Sequence, residues 1–386
     1  MRSRVPILAA LLALSLFKAP AGAAEGLPIV VHGLFDLNAH SGSAALQMNG
    51  FLVGDTPFDP YRLRIFLEAE VSPTIQVYAQ SLLDEYHYEL VEGAYAMVTP
   101  WKDRDAHLLA GKIPSAVGTW EPRSYSNKNP LIGTPLLYSY YTSLHADAPP
   151  ADADALLGGA GQGSIYGDAG LGLVIVWDGW WDTGVTIQGS ERPFEYTLSA
   201  QQGAPSAPEP GYDESPGNSW LGRVGIAPTA GTRFGISGST GTYLPAFLAS
   251  AVPPGGSLRD YRQDLLMADG EWQSGRLELR AEAASNAWRT LTLGWLRVRS
   301  GYLEARLGLG AASWGAIRAE SMRFAKIAGS AGERPWDDNV DRYEAGFGMR
   351  LDRRALAKVA AQRNLLYTAT GVQTHDLVSA QLSLAF

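Results

Sequence analysis

The chain ends Leu377-Val378-Ser379-Ala380-Gln381-Leu382-Ser383-Leu384-Ala385-Phe386. Successive side chains of a strand point to opposite faces. Val378, Ala380, Leu382, Leu384 and Phe386 therefore share one face, and Ser379, Gln381 and Ser383 share the other. The same period recurs upstream. Over 342–351, Tyr343, Ala345, Phe347, Met349 and Leu351 oppose Arg342, Glu344, Gly346, Gly348 and Arg350. Over 61–71, Leu63, Ile65, Leu67, Ala69 and Val71 oppose Arg62, Arg64, Phe66, Glu68 and Glu70. Helical stripes at i, i+3, i+4 and i+7 are not seen after the N-terminal leader.

This alternation predicts sixteen strands, over 27–39, 60–71, 74–84, 88–98, 106–115, 181–190, 194–203, 219–229, 231–244, 261–274, 276–290, 301–310, 313–324, 340–351, 355–366 and 376–386. Most run to about ten residues or more, the length of a tilted membrane-spanning strand. Short connections alternate with longer ones at 40–59, 116–180, 204–218, 245–260, 291–300, 325–339 and 367–375; the one near His87 is short where a long one is expected. Unequal rims and an even strand count are the marks of an outer-membrane barrel. Gly172 to Trp177 also reads as strand-like, and is assigned to the long connection as a segment packed on the inner wall. The expected fold is all-β: a 16-stranded antiparallel transmembrane β-barrel with a long inward-folded loop between strands 5 and 6.

Composition agrees. Met1-Arg2-Ser3-Arg4, an apolar run from Val5 to Phe17, and Ala21-Gly22-Ala23-Ala24 read as a secretory signal peptide over 1–24, leaving a single barrel domain over 25–386. The full chain holds 31 basic and 39 acidic residues. Cleavage would leave 28 against 39, a poor match to nucleic acid. There is no cysteine, so no disulfide, thiolate nucleophile or Cys-ligated metal. No 18-residue apolar run follows the leader. A mean hydropathy close to zero suits a wall with one apolar and one polar face.

A lipid-facing charge costs roughly 2–4 kcal/mol at the bilayer midplane, which predicts strand charges facing the lumen. The expected pore lining is Arg62, Arg64, Glu68, Glu92, Lys112, Arg223, Arg280, Glu282, Glu304, Arg306, Arg318, Glu320, Arg342 and Glu344. Opposed charges there would order water and set ion preference, or would be cross-strand ion pairs that stiffen the wall. The expected constriction residues are Glu121, Arg123, Lys128, Tyr138, Tyr141, Asp147, Asp152 and Asp154. The loop carries two basic and six acidic residues, which predicts a mild cation preference. The alternative is that Asp147 to Asp154, in a Pro/Ala run, face external solvent. Trp101, Trp220, Trp272, Trp288, Trp314 and Trp336 fall near strand ends, where they would form aromatic girdles or pack under loops. No Gly-x-Ser-x-Gly motif accompanies the six histidines, and Asp152-Ala153-Asp154 lacks the glycine and closing Glu of a calcium loop. Neither an enzyme nor a metal or cofactor is expected.

The layout resembles the sixteen-stranded porins of Gram-negative outer membranes along the whole mature chain. The terminal Phe386 looks like the signal read by the barrel assembly machinery. Ala110-Gly111-Lys112-Ile113-Pro114 looks like the Gly-Lys motif of the phosphate-selective and related porins. The longest connection falls where porins place their lumen loop. Trp336-Asp337-Asp338, Arg342-Tyr343-Glu344 and Gln362-Arg363-Asn364 are also similar to that group. The phosphate-selective porins carry lysine-rich loops, whereas Lys128 is the single lysine here. The resemblance implies a homotrimer in outer-membrane lipid, passing small hydrophilic solutes or ions. A plugged structural or adhesin-type barrel is the alternative.

Overall fold

The computed structural model describes residues 28–42, 58–84, 90–164, 170–178, 181–208 and 217–386. The expected leader and the connection at His87 lie outside these residues. The strands are β1 (Ile29–Gly42), β2 (Phe58–Ser72), β3 (Ile75–Asp84), β4 (Leu90–Val98), β5 (Asp105–Ile113), β6 (Asp182–Glu191), β7 (Phe194–Gln201), β8 (Ser219–Thr229) and β9 (Thr232–Thr242). They continue with β10 (Arg262–Ser274), β11 (Leu277–Thr290), β12 (Gly294–Gly308), β13 (Ser313–Phe324), β14 (Lys326–Gly329), β15 (Gly332–Pro335), β16 (Asn339–Arg350), β17 (Ala355–Thr368) and β18 (Gly371–Ala385). Sixteen of them close an antiparallel barrel, while β14 and β15 form a separate two-stranded hairpin.

Closure is made by β1 on β18, in register from Leu34↔Ala385 to Gly42↔Leu377. Phe386 adds one more step, exchanging backbone hydrogen bonds with Gly33 at 2.8 and 3.0 Å. A closed barrel leaves no sheet edge unpaired, which a hydrocarbon environment requires. Outward positions are apolar and exposed, as at Leu303, Ile317, Val359 and Val378. Inward neighbours on the same strands, Glu304, Arg318 and Lys358, are buried.

Two expected long connections are tight turns. The strand predicted from 301 begins at Gly294, and the one predicted from 376 begins at Gly371. Both glycines have positive φ, +71° and +135°, a conformation that a side chain would strain. The missed residues of β12 do alternate, but with inverted polarity. Near the long-connection rim the inward side chains are apolar: Trp288, Leu296, Val298, Phe324, Val340 and Leu366. The outward ones are charged: Arg297, Arg299, Arg323 and Asp341. These inward residues form one core with Trp120, Leu136, Leu137, Tyr138, Tyr140, Leu144 and Ile175 of the 114–181 connection. Each fully buried Leu or Phe there contributes roughly 1.5–3 kcal/mol.

Packing under the connection, the alternative to a girdle, holds for three tryptophans, two in that core and Trp314 in a smaller cluster with Leu131 and Ala316. Trp101, Trp220 and Trp272 face outward and are exposed, but Trp288, Trp314 and Trp336 are buried inside the barrel. Trp336 meets Phe324 edge-on at 4.7 Å, and the Trp314 indole donates to the Pro130 carbonyl at 3.0 Å. Segment 172–177 is not a strand. Its backbone pairs with the same connection, Leu173 N–H donating to Leu144 O at 2.7 Å, and Ile175 O accepts from Gln263 of β10 at 2.7 Å.

Candidate functional site: the charged wall and its inserted loop

Register turns the scattered charges of β9–β16 into an ordered row. Arg233 lies opposite Glu271, Glu271 opposite Arg280, Arg280 opposite Glu304, Glu304 opposite Arg318, and Arg318 opposite Glu344. The sign alternates at every step across six adjacent strands. Directly opposed unlike charges stabilise a strand pair. A second row, one pleat nearer the long-connection rim, runs Glu282–Tyr302–Glu320–Arg342–Asn364.

The two ends of the first row differ in exposure. Arg318 is fully enclosed and meets Glu344 at 2.6 Å, Glu320 at 3.0 Å and Glu304 at 3.3 Å. Arg280 is more open, 3.4–3.9 Å from Glu278, Glu271 and Glu304. Arg306 pairs with Glu278, and Arg223 bridges Asp269 (2.6 Å) and Glu195 (3.1 Å). Arg233, Glu195, Glu271, Glu278 and Arg280 line a cavity of about 790 Å³ that reaches the short turns of β6–β11.

The 114–181 connection explains the enclosed end. Glu282 accepts from Thr119 N–H and Oγ1 and from the Tyr138 hydroxyl. Glu304 accepts from Arg123, Glu320 from Leu136 N–H, and Glu344 from Gly133 N–H. Arg342 donates to Thr134 O at 2.8 Å, and Arg318 to Gly133 O at 2.6 Å. Lys358 gives its three ammonium protons to the carbonyls of Ser126, Asn129 and Leu131, at 2.7–3.1 Å. Across the barrel, Ser126 donates to Asp36 of β1 and the Tyr125 hydroxyl to Gln80 of β3. The connection thus touches inward side chains of β1, β3, β11–β13, β16 and β17. Its exposed Lys128 lines a small cavity with Arg350, Asp352, Arg353 and Arg354, at the opposite rim from where the connection starts.

On β2–β4, buried Arg64 holds Glu92 at 3.0 Å, and Gln80 also donates to Glu92. Arg62 is half-buried on the same inward face. Glu68 faces inward, opposite Tyr78, and is exposed near the short-turn rim. Lys112 departs from expectation. It lies opposite Ala94 and Thr183, in step with outward Leu108 and Ala110, and its ammonium donates to the Val91 carbonyl. A charge one residue from the end of β5 stands near the interface, where an outward position costs little. It therefore does not line the lumen.

The loop residues separate into two groups. Glu121, Arg123 and Tyr138 lie inside. Glu121 accepts from the Trp181 indole at 2.7 Å, and burial pushes its carboxyl up to about 7. Burial also raises Asp178. Tyr141 is half-buried, edge-on to Trp177 at 5.9 Å. Asp147, Asp152 and Asp154 are exposed. Asp152 caps a short helix, Ala153–Gly158, by accepting from Ala155 N–H, and Asp154 accepts from Ser330 N–H between β14 and β15. They sit at the long-connection rim rather than at a constriction, because a Pro/Ala run cannot bury charge without partners. Tyr302 and Gln263 were not anticipated, and Asp337 was quoted only as part of a likeness, with no role. Tyr302 was legible, two residues before Glu304 on the same face, but the partners of Asp337, Ser143 and Gly161 N–H, are almost two hundred residues away.

No family model and no curated protein matches the chain. Solved structures do match in fold. OmpF of Salmonella typhi, in complex with daunomycin, is 12% identical over 94% of this chain and 98% of its own, with a TM-score of 0.60. The anion-selective porin from Comamonas acidovorans is 10% identical over 93% and 99%, with a TM-score of 0.59. The outer membrane channel DcaP of Acinetobacter baumannii is 10% identical over 94% and 99%, with a TM-score of 0.57. The barrel is therefore of the porin type in fold.

Proposed function

We propose that this protein is a porin of a bacterial outer membrane, passing small hydrophilic solutes or ions by passive diffusion. The observation that carries the reading is a closed barrel, apolar outside, whose inner wall keeps an open charged cavity between β6 and β11 where the loop leaves it uncovered. A water-filled passage lowers the cost of crossing hydrocarbon, and opposed charges on its wall sieve by size and charge without any bond being made. Arg280, Arg306 and Glu68 are the wall residues best placed to meet a solute, whereas Arg223 is nearly enclosed between Asp269 and Glu195. Glu282, Glu304, Arg318, Glu320, Arg342, Glu344, Arg64 and Glu92 serve mainly to hold the loop and the wall.

The acidic excess of the loop supports a mild cation preference. A phosphate-selective role is not supported, with Lys128 alone in the loop and Lys112 on the outer face. Export by a cleaved leader, barrel assembly through the Phe386 strand, and a homotrimer complete the proposal. Swelling of vesicles containing the folded protein, in a series of sugars of rising mass, tests it. Swelling rates should fall steeply with solute size; protein-containing vesicles that swell no faster than empty ones would defeat it.

A further inference from the structure

Above the apolar band, the outer surface of β12 and β13 carries a cluster of arginines that the transport reading does not use. Arg297 and Arg299 are exposed, on the same outward face of one strand, about 7 Å apart. Arg299 lies directly opposite Arg323 on the neighbouring strand. Like charges placed so destabilise a strand pair. Asp341 offsets one of them, gripping Arg323 through both carboxylate oxygens at 2.6 and 2.7 Å. Among the described residues, the guanidinium groups of Arg297 and Arg299 have no acidic partner. The chain as a whole has a net charge of −8, so this basic surface is not a consequence of composition.

Position decides what it would meet. Below Arg299 the outward residues of β12 are Gly301, Leu303, Ala305 and Leu307. Eight residues separate Arg299 from Leu307, about 27 Å along the strand and about 21 Å along the normal at a tilt of about 40°. The apolar band of such barrels is about 25 Å tall, so Arg299 stands at its upper edge, level with lipid headgroups.

We infer that Arg297, Arg299 and Arg323 form a binding site for the phosphate of an outer-leaflet lipid. Guanidinium forks match phosphate oxygens in pairs. The exposed Leu303 and Leu307 beneath would lie along the acyl chains of the same molecule. A lipid satisfies both parts of this surface, whereas a free anion satisfies only the first. The inference rests on the barrel standing in an outer membrane, as proposed above.

The test uses the folded full-length protein in neutral detergent, titrated with bisphosphorylated lipid A or its dephosphorylated form and followed by native mass spectrometry. The wild type should bind the phosphorylated form at least about tenfold more tightly, given the strength of charge-assisted hydrogen bonds. R297A/R299A should lose that preference. Both sites are exposed, so the variant should fold, and single-channel steps from the same preparations check this. Three outcomes overturn the inference: the variant keeps the preference; inorganic phosphate displaces the lipid completely, marking a free-anion site; or the variant loses oligomer mass, marking a contact between copies. Steps without lipid preference would sink this inference alone, whereas lipid preference without steps would sink the transport reading alone.

Discussion

Replacing Arg318 by Met removes the cation at the enclosed end of the charged row while keeping similar length. Its side chain is fully buried, with three carboxylates and the Gly133 carbonyl within 3.3 Å. Removing one partner of a buried ion pair typically costs about 3–5 kcal/mol, because the remaining charge stays desolvated. Each orphaned carboxylate here keeps one other donor: Arg123 for Glu304, Leu136 N–H for Glu320, Gly133 N–H for Glu344. The lower end, about 3 kcal/mol, is therefore expected, a factor of roughly 150 in the unfolding equilibrium. Urea unfolding of the detergent-folded protein, followed by tryptophan fluorescence, measures it. R318K should fall between, since a lysine keeps the charge and loses the fork. R363M, which breaks an exposed pair with Asp376, should leave the midpoint unchanged. An R318M midpoint within about 0.5 kcal/mol of wild type would refute the claim that this residue ties loop to wall.

Further expectations follow from the same geometry. Glu121 sits near pH 7 when folded against an unfolded value of 4.5, so the folded state binds the extra proton. The stability it contributes is full below pH 4.5 and is lost as pH rises through about 7; E121Q should flatten that slope in unfolding midpoints taken from pH 4 to 8. K358M leaves three loop carbonyls without a donor and should loosen the segment 126–131, read as faster limited proteolysis after Lys128 from the short-turn side; an unchanged cleavage rate would contradict the anchor. R280A should alter single-channel conductance, whereas K112A, on the outer face, should not; the reverse order would put Lys112 back in the lumen. A salt gradient should give a reversal potential on the cation side, and an anionic sign would remove the cation preference.

The strands were legible because lipid on one side and water on the other impose a two-residue period. Where that contrast fails, the reading failed with it. Gly294 to Ser300 alternates as regularly as any strand, but with arginine outside and leucine inside, since it stands above the hydrocarbon and packs on the loop. Trp288 and Trp336 stayed open between girdle and loop for the same reason: proximity to a strand end does not say which face a tryptophan takes. Lys112 shows how far one pleat matters, since a single step in register carries a side chain across the wall. The anchors of the loop were least legible. Lys358 and Ser126 are more than two hundred residues apart, and no local pattern joins them.

The central claim is that water and ions pass through this barrel beside a loop bound to its wall. Single-channel recording of the folded protein in a planar bilayer tests it most directly. Ohmic current steps, altered by R280A and unaffected by K112A, are the predicted result. A protein verified as folded that gives no steps would make the barrel plugged, and its charged rows purely structural.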